Sequence, residues 1–155
     1  MFKNIVVALD GSPHSRLALP TAIEIARQSD ATIFVVHVVE HDRGRAVAYS
    51  TEGPAQATRL VFDAVEQIRG AGVRAEGQLL DRAAGHVAIA IAETAAAHEA
   101  DLVVMGSRRL SDAQAIFVGS VTHGVLQLVE APVLIAPPPK AGAKAKRPSA
   151  AVATS

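Results

Sequence analysis

The chain has 155 residues, half of them hydrophobic but only 3% aromatic, so one domain is expected, with a core laid down in layers of Val, Ile, Leu and Ala. It contains no cysteine, which excludes a disulfide framework, a thiolate nucleophile and every Cys-ligated zinc or iron–sulfur centre. Formal net charge is zero, yet the last nineteen residues carry Lys140, Lys144, Lys146 and Arg147 and no acid, so a body of −4 is joined to a tail of +4. An acidic body argues against nucleic acid as a partner.

The first apolar run, Ile5 to Leu9, meets Asp10 and Gly11 at once; it is shorter than a signal-peptide core and no cleavage-like sequence follows it. No apolar stretch approaches the roughly 20 residues of a membrane span. A cytoplasmic protein with no membrane partner is the expectation.

Ser12 followed by Pro13 makes a helix start, because the hydroxyl can cap an orphan N–H and proline suits the first helical position. Leu19, Ile23 and Ala26 then supply one stripe of a first helix. A second apolar run, Thr32–Val39, leads into a polar, glycine-bearing loop over residues 41–53. Ala57, Val61, Ala64, Val65 and Ile68 stripe a second helix that Gly70 and Gly72 can end. The third run is Val73–Leu80, followed by a helical stripe of Ile89, Ala92 and Ala96. The fourth is Leu102–Met105, followed by a stripe of Val121, Val125, Leu128 and Val129, and Val133–Ala136 is the fifth.

The first, second and fourth runs lack strict polar alternation, as parallel strands covered on both faces do. Strand and helix alternating throughout, with right-handed crossovers, predict an α/β domain built on an open five-stranded parallel sheet with helices on both faces. The domain is expected over residues 1–137. Residues 138–155, rich in Ala, Lys and Pro and poor in large apolar residues, are expected to form a disordered basic tail without a function of its own.

In such sheets ligands bind beyond the carboxyl ends of the strands, where strand order reverses. Two strand ends carry suitable residues. The first runs into Ala8-Leu9-Asp10-Gly11-Ser12, placing a carboxylate at the sheet edge, where Asp10 serves either a ligand or the βα turn itself. The fourth runs into Met105-Gly106-Ser107-Arg108-Arg109, and the loop beyond it ends at Gly119-Ser120-Val121, the start of the last helix. Glycine then serine at a helix start lets backbone N–H groups meet an anion, which the helix dipole also favours; the same pair also serves as a simple cap. Arg108 and Arg109 read either as phosphate contacts or as a solvated pair.

The segments KNIVVALDGSPHS, DLVVMGS and GSVTHGVLQLVEAPVLIAP resemble the universal stress proteins, in the right order and spacing over roughly residues 2–136. The resemblance implies a flavodoxin-like strand order of 3-2-1-4-5, with first and fourth strands adjacent and the last at an edge. It also implies ATP as ligand, with Mg²⁺ as its companion. Asp10 would then lie near the ribose, Val38 would offer backbone contacts to adenine, Gly106, Gly119, Ser120 and Val121 would hold phosphates, and Ala8 would belong to the same binding site. The ATP-binding branch carries Gly, two residues, Gly, nine residues, then Gly and Ser or Thr. Gly106, Gly119 and Ser120 match, while Arg109 stands where the middle glycine belongs. Arginine there either grips phosphates or obstructs them, so a nucleotide-free dimeric scaffold of the same fold is the alternative to a nucleotide-binding regulator of the stress response. The resemblance implies a homodimer paired through Val133–Ala136, and a regulated protein partner that the sequence does not name.

Catalysis finds little support. His14, His37, His41, His86, His98 and His123 are scattered without metal-ligand spacing and read as surface or satisfied helix histidines. Ser120 is better explained as an anion-binding cap than as a nucleophile. Only Asp112 offers a base near a γ-phosphate, so at most slow ATP hydrolysis is expected.

Overall fold

The computed structural model describes residues 1–41, 53–109, 116–117 and 119–136. Five strands, β1 (Asn4–Leu9), β2 (Thr32–His41), β3 (Arg74–Ala83), β4 (Leu102–Gly106) and β7 (Val133–Ala136), form one sheet in the order β3-β2-β1-β4-β7. Every neighbouring pair is parallel. This is the expected 3-2-1-4-5 order with the last strand at an edge. A two-residue antiparallel pair, β5 (Arg108–Arg109) with β6 (Ile116–Phe117), stands apart from the main sheet and was not legible in the apolar pattern.

Alternation along β1 divides the core. Ile5, Val7 and Leu9 pack with residues of α2 (Ala18–Ser29) and α3 (Pro54–Gly70) in one cluster. Val6 and Ala8 face the other way, toward α4 (Val87–Ala97) and α5 (Ser120–Leu128). Because both faces of β1 are covered, its positions 5 to 9 are buried, which explains why the sequence shows a continuous apolar run there.

The predicted start at Ser12 is made as expected: the Ser15 amide donates to Ser12 Oγ at 3.2 Å, opening the single turn α1 (Pro13–Arg16) before the chain restarts in α2. The stripe of α3 is fully borne out, with Ala57, Val61, Ala64, Val65 and Ile68 all buried. Gly72 follows this helix at φ +80°, a left-handed turn that favours glycine.

Two other stripes need correction. In α4 the buried residues are Ala90, Ile91, Thr94 and Ala95, whereas Ile89 is exposed. Its sequence VAIAIAETAAA is apolar nearly all round, so periodicity carries no phase. Thr94 tolerates burial because its hydroxyl donates to the Ala90 carbonyl at 2.8 Å. In α5 Thr122 and Val125 face inward, and Leu128 is exposed at the last helical residue. The helix also draws close to α4: a Cβ on Gly124 would lie 2.7 Å from the Ala88 Cβ.

Candidate functional site

β1 and β4 are adjacent, with Ala8 opposite Met105, while the chain leaves β1 for one face of the sheet and β4 for the other. Their carboxyl ends therefore frame the reversal of strand order, where a doubly wound sheet opens a crevice. The residues that follow β1 are held by a short network. Asp10 Oδ1 accepts the Ser12 amide at 2.9 Å, the Asp10 amide donates to Ser15 Oγ at 3.2 Å, and Ser15 Oγ donates to the Ser12 carbonyl at 3.0 Å. Between them Gly11 sits at φ +78°. Asp10 thus stiffens the βα turn, the second of its two expected roles, and its carboxylate is held at the crevice edge by that turn.

A feature missed in the sequence fixes the same edge from the neighbouring strand. His37, on β2, is only 3% exposed, and its Nδ1 lies 2.8 Å from the Leu9 carbonyl. A carbonyl only accepts, so Nδ1 carries the proton. The expectation of a surface or helix histidine is wrong here: His37 is a buried strand residue clasping the last residue of β1. A lone histidine inside the apolar run IFVVHVV was the available signal.

Ala8 is buried, and Val38 and Val121 are partly buried against the same cluster, which also holds Met105. One face of the sheet thus brings together three residues expected around the ligand. Gly106, the last residue of β4, pairs with Ala136, and Ser107 is buried beside it. Gly119 is the N-cap of α5 at φ −65°, ψ 164°, with Ser120 exposed as the first helical residue. No described side chain caps this helix and its first turn holds no acid. Among the described residues a Cβ on Gly119 would meet nothing within 4 Å, so the backbone there is open toward them. Such a helix start suits an anion.

The backbones of Arg108 and Arg109 lie in β5, opposite Phe117 and Ile116. Extended backbone does not require a positive φ, so arginine takes the place of the middle glycine without the conformational cost that a left-handed position would impose. Asp112 and the polar loop over residues 42–52 lie outside the described residues, as does the tail beyond 136. Among the described residues no three His, Asp or Glu side chains group as metal ligands, and no helix is long and apolar enough to cross a membrane.

A doubly wound α/β domain with an uncapped helix start at its switch point defines a class of small ligand-binding domains. Within that class, the family model described as the universal stress protein family matches residues 1–137, and the chain belongs to this family. It is 33% identical to a universal stress protein of Thermus aquaticus, encoded 3′ to a QAH/OAS sulfhydrylase, over 87% of this chain and 98% of the relative. It is 30% identical to universal stress protein YxiE of Bacillus subtilis over 87% of this chain and 99% of that one. Among solved structures, the universal stress protein of Archaeoglobus fulgidus in complex with dAMP is 28% identical, with a TM-score of 0.67 over 86% of this chain and 96% of its own. A universal stress protein in complex with cAMP is 26% identical, with a TM-score of 0.64 over 86% and 95%.

Proposed function

We propose that this chain is an adenine-nucleotide-binding regulatory protein of the stress response, with ATP as its ligand in the crevice beyond β1 and β4. The observation that carries the reading is the uncapped start of α5, whose Gly119 presents open backbone at the switch point. The dAMP and cAMP complexes of two relatives support an adenine nucleotide as the ligand. In this reading Gly106, Gly119, Ser120 and Val121 take the phosphates, Arg108 and Arg109 add charge to them, Asp10 lies toward the ribose, and Ala8 and Val38 flank the adenine. A Mg²⁺ ion would accompany the phosphates of ATP. No catalytic residue is assigned; occupancy acts through conformation or through a protein partner.

A calorimetric titration tests the proposal. The full chain is expected to take up ATP, and Gly119→Leu is expected to lose it. The open space around Gly119 and its ordinary φ let the leucine fold in place, so the loss reads occlusion of the backbone N–H groups. Losing the glycine cap costs only a few tenths to about 1 kcal/mol. Should neither the full chain nor Arg109→Gly bind any adenine nucleotide at millimolar concentration, the nucleotide-free scaffold replaces this reading.

A further inference from the structure

The registered pairs of β1 and β2 end at Leu9 opposite His37, and past that pair β1 turns away through Asp10 and Gly11. A backbone ladder orders two strands only as far as their register runs. At this last pair a side chain adds to the ladder, because His37 Nδ1 donates to the Leu9 carbonyl at 2.8 Å across 28 residues of chain. Both ends of the bond are buried, Leu9 at 4% and His37 at 3% exposure. A buried hydrogen bond is costly to break, since the group left unmatched pays its full desolvation.

The neighbours of its two ends give this bond a use. Asp10 follows Leu9, and Val38 follows His37. These are the two residues that the nucleotide reading puts toward the ribose and beside the adenine. We infer that His37 is a positioning residue for the nucleoside half of the ligand, an inference that rests on the nucleotide reading above. The turn after β1 takes its shape from the bonds that Asp10 makes with Ser12 and Ser15, and the His37 bond anchors that shaped turn to β2. A binding constellation works only when its contact groups are held to within about 0.5 Å by supporting hydrogen bonds. The residues assigned to the phosphates lie instead at the end of β4 and the start of α5. Loss of the bond should therefore weaken the hold on sugar and base and spare the hold on phosphate.

The experiment titrates the full chain and its His37→Leu, His37→Asn and His37→Gln variants with ATP, adenosine and inorganic triphosphate by calorimetry. Asparagine carries an N–H close to the place of imidazole Nδ1, whereas glutamine carries its own close to that of Nε2. Leucine and glutamine are expected to weaken ATP and adenosine roughly tenfold and leave inorganic triphosphate unchanged, while asparagine stays within about threefold of the full chain. If the leucine variant fails to fold, the asparagine and glutamine pair decides, since both bury an amide and differ in where its N–H falls. Unchanged ATP and adenosine affinities in the glutamine variant would overturn the positioning role while leaving the nucleotide reading intact. Equal losses for adenosine and inorganic triphosphate would also overturn it, because a general loosening of the fold weakens both halves of the site. So would an asparagine variant as weak as the glutamine one. A full chain that binds no adenine nucleotide at millimolar concentration removes the nucleotide reading and this inference together.

Discussion

Gly77 shows how one missing Cβ positions a layer of the fold. A Cβ there would lie 2.5 Å from Val61 Cγ1 and 2.8 Å from Val65 Cγ2, so α3 lies against β3 at a distance only glycine allows. Gly77→Ala is expected to destabilise by about 1–3 kcal/mol through overpacking, lowering Tm by roughly 2–4 °C per kcal/mol. In the double variant with Val61→Ala the two costs should not add, because both changes act on one contact. At the candidate site the informative change is Arg109→Gly. Arg109 stands in extended backbone, and the proposal above gives its charge the role of a phosphate contact. ATP affinity is then expected to fall about tenfold, with a smaller loss at high salt, because a charged hydrogen bond is worth about 1.5–3 kcal/mol and exposed charge is screened. A rise in affinity by calorimetry would show instead that the side chain blocks the site. The Asp10-Gly11-Ser12 turn and the Gly119-Ser120 helix start were legible as local chemistry, because strand end, turn and cap each have a residue signature. His37 was not, since a buried polar group is recognised by its partner, and that partner is a backbone carbonyl 28 residues away.

Element by element, legibility followed amphipathicity. α3 separates a buried stripe from a charged face, and all five of its expected positions are buried. α4 has no such contrast, and its inward face is set by contact with α5 and the sheet. β3 extends to Ala83, beyond the expected Leu80, and as an edge strand it exposes most of its polar positions. At the opposite edge β7 is short and apolar, with Val133, Leu134 and Ile135 only partly covered. An uncovered apolar edge of this kind invites strand pairing. We therefore propose that two copies meet through Val133–Ala136. Leu134→Lys is expected to weaken that dimer, as read by light scattering at micromolar concentration. Leu134 also packs against the core, so Ile135→Lys, at a partly buried position outside both core clusters, separates loss of assembly from loss of folding. A wild-type chain that scatters as a monomer under those conditions would remove the proposal.

At the scale of the whole molecule, the described residues up to Ala136 build two core clusters and a five-stranded sheet among themselves. Truncation after Pro139 is expected to leave Tm and oligomeric state unchanged; a large drop in Tm would show packing by the tail. Layering and strand count were legible because composition and alternation dictate them. The neighbour of β1 on its far side was not, except through family resemblance, because no local pattern reports a partner from the other half of the chain. That partnership joins distant parts: Asp101 accepts the Lys3 amide at 2.7 Å and the Asn4 amide at 3.2 Å, across 98 and 97 residues. During synthesis the consequence is a waiting period. β1 and β2 can pair early, yet the far edge of β1 stays open until β4 has left the ribosome. At about 5–20 residues per second that is several seconds to some twenty seconds with an unpaired apolar edge. The crevice between β1 and β4 does not exist during that interval. On the nucleotide reading proposed above, a nascent chain has nothing with which to hold its ligand, and competence would arrive only with the second half of the sheet.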